Sequence, residues 1–254
     1  MLEGKNNSGL NDKVDMSFLD HLEELRKRII LSVVGLIISC VIAGVFIDDI
    51  LNLIVLRPSI EANLKLQNLS PFGQPLLYFK LILIIGIILG FPFFLYQLWR
   101  FIAPGLYVNE RRWARWITFF TSVCFLSGVL FSYFLMIPTM LSFASSFGTD
   151  KIENIIDVNN YLSFITIMLL SSGILFEMPM VTFILSRFGI LTSDFMRKYR
   201  RHSIVVIMIL AAALTPTTDP ISMTIFAAPL FFLYELSVVI AKIAERKHIS
   251  KEND

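Results

Sequence analysis

The sequence predicts an all-α, polytopic integral membrane protein with six transmembrane helices, both termini cytoplasmic, and short fifth and sixth helices. Three observations carry this. Apolar residues make up 56% of the 254-residue chain and charged ones only 17%, whereas soluble domains average nearer a quarter charged. The apolar residues fall in long uninterrupted runs, and a helix crossing the hydrocarbon core needs about 20 of them. The Lys and Arg residues gather on alternate loops, which is the pattern that orients membrane proteins.

Residues 1–17 are polar and read as a cytoplasmic tail, with no cleavable signal peptide. In the next stretch Phe18, Leu22, Leu25 and Ile29 recur at helical spacing and form one apolar stripe. That pattern predicts a helix lying along the inner membrane surface and leading into the first span, residues 29–46. The second span is expected over 81–99, where Gly90-Phe91-Pro92 suggests a kink and Gly86 and Gly90 form a GxxxG pair suited to close helix packing. The third runs over 116–137 and is closed by Pro138. The fourth covers 161–186 and contains one acid, Glu177. The fifth, 203–214, has only 12 residues before Thr215-Pro216. The sixth, 221–241, is interrupted by Glu235, and 243–254 reads as a polar tail. Between the spans, long outer loops are expected over 48–78 and 139–160, and a tight turn over 215–220. No repeat or linker divides the chain, so residues 1–254 read as a single integral membrane domain.

The basic residues set the orientation. Lys5, Lys13, Arg26, Lys27 and Arg28 precede the first span; Arg100, Arg111, Arg112 and Arg115 follow the second; Arg187, Arg197, Lys198, Arg200 and Arg201 follow the fourth; Lys242, Arg246, Lys247 and Lys251 close the chain. An inner N-terminus therefore puts 18 of the 22 Lys and Arg residues inside, leaving Arg57, Lys65, Lys80 and Lys151 outside. The net charge of +2 hides this asymmetry.

Several chemistries have no visible machinery. Cys40 and Cys124 sit in apolar runs without metal-ligand spacing and read as small core residues. His21, His202 and His248 all fall at the inner surface. There is no HExxH, CxxC, GxSxG or phosphate-binding glycine loop. No catalytic residue, metal, cofactor or nucleic-acid partner is expected.

The acids are more informative. Glu23 and Glu24 stand four residues before Lys27 and Arg28, so simple i,i+4 pairing accounts for them without any ligand. Glu110 stands beside Arg111 and Arg112, next to the turn signal Pro104-Gly105, and neutralisation of those cations is an adequate role for it too. Glu177 is harder to dismiss. Ten residues before Arg187, it lies about 15 Å from that end of its helix, near mid-membrane. An acid there costs about 2.5–3.5 kcal/mol on insertion scales and marks a functional or partner-facing position. Ser163, Thr166, Leu170 and Gly173 share its face as a partly polar stripe, although a packing hydrogen bond inside the bundle also remains open. Glu235 falls closer to the inner surface.

Taken together these residues resemble the TatC family. His21-Leu22-Glu23-Glu24-Leu25-Arg26-Lys27-Arg28 looks like its HLxELRxR motif. Gln97-Leu98-Trp99-Arg100-Phe101-Ile102-Ala103-Pro104-Gly105-Leu106, with Glu110-Arg111-Arg112, is similar to its first cytoplasmic loop. Phe176-Glu177-Met178-Pro179 looks like its FExP signature, and Leu214-Thr215-Pro216 through Asp219-Pro220 resembles its last external turn. The likeness runs in order over residues 18–242. The chain departs from the family pattern at Met223, where members often carry Gln, and in the 70–75 stretch, which lacks an acid that many members carry.

The resemblance implies a membrane component of the twin-arginine (Sec-independent) protein export system. Such a component recognises precursors whose signal peptides carry two adjacent arginines. It passes folded proteins across the cell inner membrane with small single-span partners, TatA and TatB, using the proton-motive force, and self-associates in a receptor complex within the lipid bilayer. It further implies that Glu24 and Glu110 hold the twin arginines, with Arg26 and Phe101 at the same signal-peptide site, and that Glu177, with Pro179 beside it, and Glu235 serve intramembrane partner contact. The logic is sound, because paired guanidinium groups are best held by carboxylates. The main rival reading is a small-molecule or ion transporter using Glu177, although the inverted repeats and paired broken helices of many transporters are not visible. A membrane enzyme is the other rival.

Overall fold

The computed structural model describes residues 18–102, 111–146, 155–214 and 220–252. It is an all-helical bundle with a two-stranded parallel sheet at one end. Among the described residues, five helical stretches are long and apolar enough to cross a membrane: Leu22–Val45, Gly73–Phe101, Trp116–Ser146, Val158–Arg187 and Pro220–Glu245. A further apolar helix, α10 (Arg200–Leu214), has only 15 residues.

Helix α1 (Phe18–Val45) is continuous. The amphipathic stretch and the first span are therefore one continuous helix rather than a surface helix followed by a separate crossing helix. No Gly, Pro or capping residue separates them, so nothing in the sequence breaks the hydrogen-bond ladder. Among the described side chains of α1, Ala43 alone is buried. The helix rests chiefly on α4 (Gly73–Ile102), which stays helical on both sides of Pro92, where the sequence suggests a kink; in a membrane, neighbouring groups re-satisfy the one carbonyl a proline orphans. The GxxxG pair is used as expected: a Cβ on Gly86 would lie 3.0 Å from Cys40 Cα, and one on Gly90 3.2 Å from Ser39 Oγ.

The segment after α1 is helical, not an open loop. Helix α2 (Ile47–Ile50) passes into a π-helical stretch, Leu51–Leu56, and then α3 (Arg57–Glu61). The third span behaves alike: α5 (Arg111–Phe131), a π-helical stretch Ser132–Met136, then α6 (Ile137–Ser146). Pro138 therefore does not close this span, which continues to Ser146. Both π stretches stand immediately ahead of a proline, Pro58 and Pro138. The widened turn shifts the ladder by one residue, so Arg57 N–H bonds Asn52 O and Ile137 N–H bonds Ser132 O. In that register Leu53 O awaits a donor from residue 58, and proline has none. The Tyr133 hydroxyl supplies it, donating to Leu53 O at 2.6 Å. One π stretch thus repairs the other and ties the first connecting segment to the third span.

Strand β1 (Lys65–Gln67) pairs in parallel with β2 (Ile155–Asp157), Lys65 opposite Ile155. The segments following the first and third spans therefore lie at the same end of the bundle. Asp157 then caps α7 (Val158–Leu175), accepting from Asn160 N–H, and also accepts from Leu69 N–H. Helix α7 is the centre of the core: Leu162, Ile165, Met168 and Leu169 are fully buried, with Phe125, Leu81 and Ile137 against them.

Its packing on α5 is reciprocal. A Cβ on Gly173 would strike the Phe125 ring, and one on Gly128 would lie 2.5 Å from Ser172 O and 2.8 Å from Phe176 Cβ. Each helix thus receives the other's phenylalanine over a glycine. Phe125 also stacks on Phe91 of α4, centroids 3.6 Å apart. At the opposite end from the sheet, α8 (Met178–Arg187) leads to α9 (Ser193–Lys198), then α10 and α11 (Pro220–Glu252). Glu245 of α11 accepts from the Ser193 N–H and, at 2.8 Å, from its hydroxyl, capping α9 from outside, while the Tyr234 hydroxyl donates to Met196 O. Helix α11 continues well past the expected end of its span, so the polar tail is helical as far as Glu252.

Candidate functional site

The first set of expected site residues gathers where α1 begins and α4 ends. Arg28 Nη2 donates to Glu24 Oε1 at 3.0 Å, and Arg28 Nη1 donates to Gln97 Oε1 at 3.2 Å. The pair is largely shielded, with side-chain exposures of 18% for Glu24 and 14% for Arg28, and Gln97 is 4% exposed. The i,i+4 spacing read in the sequence is therefore realised for Glu24. Shielding strengthens the pair relative to an open surface pair, but Arg28 Nε is buried with no hydrogen-bond partner among the described residues, so the guanidinium is incompletely satisfied.

Beside this network a groove of about 420 Å³ runs between the two helices. Leu25, Ile29, Val33, Leu36, Phe91 and Phe94 form its apolar walls, and Arg28, Gln97 and Phe101 lie on it too. Phe101 is thus brought to Glu24's neighbourhood. Arg26 is exposed on the same turn of α1 and lines no part of the groove. Arg100 stands over the Tyr96 ring at 6.0 Å. Glu110, with Pro104-Gly105, lies outside the described residues, as does the 215–219 turn.

Gln97 is the residue that sequence reasoning passed over. It was readable as a lone amide near the end of an apolar run, the same signal that singled out Glu177.

Glu177 occupies a two-residue break between α7 and α8. Pro179, at the start of α8, has no N–H for Leu175 O, and its ring crowds that carbonyl, so the α-helical ladder of the fourth span is interrupted for two residues there. The chain turns instead through tighter bonds, Glu177 N–H to Ile174 O at 3.1 Å, and resumes with Val181 N–H to Glu177 O at 2.9 Å. Phe176, seated over Gly128 and 5.2 Å from the Phe131 ring, fixes the break against α5. Glu177 is 9% exposed, and its Oε1 is buried with no hydrogen-bond partner among the described residues. The polar stripe expected on this face is not open as such. Ser163 and Thr166 spend their hydroxyls on Asn159 O and Leu162 O of their own helix, and the space over Gly173 is filled by Phe125. The helix that approaches closely there is α5 of the same chain.

Glu235 belongs to neither cluster. It accepts from Arg200 Nη2 at 2.7 Å, so it ties the first turn of α10 to the middle of α11. Among the described residues no group of three or more His, Cys, Asp or Glu is placed to hold a metal ion.

Comparison with known proteins gives a consistent answer. The family model TatC, described as Sec-independent protein translocase protein (TatC), matches residues 20–229. The Sec-independent protein translocase protein TatC of Carboxydothermus hydrogenoformans is 38% identical over 237 residues, 93% of this chain and 97% of the relative. The protein of the same name from Deinococcus radiodurans is 38% identical over 229 residues, 88% of this chain and 85% of the relative. A crystal structure of the twin-arginine translocase receptor TatC superposes with a TM-score of 0.77 at 33% identity, covering 88% of this chain and 99% of that one.

Proposed function

Because the chain belongs to the TatC family of Sec-independent protein translocase components, a multi-pass membrane protein family of protein transport, we propose that it is the receptor that binds twin-arginine signal peptides. The observation that carries the proposal is the Glu24 network. A carboxylate at the head of α1 already holds a guanidinium at 3.0 Å in a shielded setting beside an apolar groove. That is the chemistry a twin-arginine signal peptide requires, charge-assisted hydrogen bonding next to a surface for its apolar stretch. Glu110 is assigned as the second acid through its motif position, with Arg26 and Phe101 as neighbouring contacts.

In this reading the chain has six spans, α10 being the fifth, with both termini on the cytoplasmic side of the inner membrane. The basic residues favour that orientation, and the pairing of β1 with β2 agrees with the alternation of loops. Glu177, with its unmet Oε1 at the break before Pro179, is assigned to engage a polar group on a single-span partner of the TatA or TatB kind. Glu235 is assigned to hold the hairpin on which such a partner docks. Self-association and use of the proton-motive force belong to the same proposal.

The test is a binding titration of a fluorescent twin-arginine signal peptide on the purified, reconstituted protein. The Glu24→Gln, Glu110→Gln double variant should lose binding by about tenfold or more, the factor that ~1.4 kcal/mol makes. Undiminished binding by a folded double variant rules the site out.

A further inference from the structure

We propose that Arg28 is a built-in competitor for the arginines of the guest peptide and thereby holds down the affinity of the resting site. The proposal rests on reading Glu24 as a signal-peptide carboxylate. In the structure that carboxylate is not waiting empty, because Arg28 Nη2 sits on its Oε1 at 3.0 Å. A guest guanidinium must therefore displace Arg28 or crowd beside it.

Three features make displacement workable. Arg28 is anchored independently by its Nη1 bond to Gln97 Oε1 at 3.2 Å, so it has a partner to keep when it leaves Glu24. Its Nε is buried with no partner among the described residues, so the resting arrangement is incompletely satisfied and easier to displace than a fully bonded one. The groove of about 420 Å³ on which Arg28 lies gives either side chain room to move.

The cost of displacing Arg28 is the same whichever cation arrives, so it lowers the affinity of every guest by one factor; the preference for arginine comes from the planar fork that lysine, with its compact and strongly hydrated ammonium, cannot reproduce. Removing Arg28 should then tighten binding of an arginine peptide and of a lysine peptide by the same factor. A residue that merely shapes the site would weaken binding when removed.

The experiment uses the full chain in nanodiscs, with a fluorescent twin-arginine signal peptide and the same peptide carrying Lys-Lys in place of the pair. Wild type, Arg28→Ala, Arg28→Gln and Glu24→Gln are titrated, and the melting temperature of each is recorded. We expect Arg28→Ala to bind the arginine peptide roughly three- to tenfold more tightly and the lysine peptide to gain by the same factor. Unchanged or weaker binding of the arginine peptide by a folded Arg28→Ala overturns the proposal. Should Arg28→Ala not fold, Arg28→Gln, which keeps a polar but uncharged side chain, decides it by the same two readings. Glu24→Gln separates the two ideas. If it leaves arginine-peptide binding intact, the assignment of Glu24 falls and the Arg28 proposal with it. If it abolishes binding while the Arg28 variants also weaken it, only the Arg28 proposal falls.

Discussion

Glu177 is a carboxyl that the chain encloses without fully bonding. Its neighbours in sequence explain why it stands there: Pro179 breaks the helix, and Phe176 locks the break over Gly128. A buried oxygen with no partner favours a neighbour that can meet it. Gln keeps a donor and an acceptor at this position, whereas Ala keeps neither. Crosslinking of a single-span partner to neighbouring positions should therefore fall about fivefold for Glu177→Ala, the factor for one hydrogen bond of ~1 kcal/mol. Glu177→Gln should retain most of it. Equal, undiminished crosslinking by both variants makes Glu177 a packing residue. At this scale much was legible. A lone acid in an apolar run announces itself, and i,i+4 spacing foretold the Glu24–Arg28 pair. The third member, Gln97, is 69 residues from Arg28, and no spacing rule reaches that far.

Proline was the least transparent signal at the scale of elements. Pro138 reads as a stop, and Pro92 as a kink, because each removes a ladder bond. The structure instead absorbs Pro138 and Pro58 with π-helical turns and keeps α4 helical on both sides of Pro92. The repair of Leu53 O by Tyr133 comes from another element altogether, so Tyr133→Phe should lower stability by about 1 kcal/mol. A detergent melting curve superposable on that of the parent would show the bond to be dispensable. The interlock of α5 and α7 gives a sharper contrast. At Gly128 the added Cβ of alanine meets a backbone oxygen at 2.5 Å, which cannot swing away, whereas at Gly44 the nearest atom is 3.8 Å off. Gly128→Ala should cost about 1–3 kcal/mol, as overpacking does, and Gly44→Ala should be near neutral. Equal melting temperatures for the two would contradict the close approach.

For the whole molecule, the height of the last hairpin is the quantity with consequences. Helix α10 has 15 residues, about 22 Å at 1.5 Å per residue, against a hydrocarbon core of about 30 Å. The sequence-based span of 12 residues was shorter still; the helix begins three residues earlier, at Arg200. Its partner leg from Pro220 reaches Glu235 after 15 uncharged residues, and the Arg200–Glu235 pair closes the base of the hairpin at that level. A bilayer that meets this edge must thin locally to cover it. Lipid density around the protein in nanodiscs should thus be several Å thinner beside α10 and α11 than beside the 31-residue span Trp116–Ser146. Uniform thickness around the perimeter would exclude the effect. Thinning on that side would ease passage of a large cargo.

The sequence by itself determined what depends on composition and on neighbours along the chain. Apolar run lengths gave the helical membrane class, alternating basic loops gave an expected orientation, and four short motifs in order gave the family. Each of these is local, because transfer into a bilayer, positive-loop bias and i,i+4 pairing all act over about 20 residues or fewer. Only the tertiary structure decided which groups meet across helices. It paired β1 with β2 across 90 residues of chain, set Phe125 over Gly173 and Phe176 over Gly128, gave Leu53 O its donor from Tyr133, and delivered Gln97 to Arg28. Those meetings depend on register and rotation between helices. In hydrocarbon the packing of small residues and the satisfaction of stray polar groups set both, because no hydrophobic drive presses one apolar helix face against another more than against lipid.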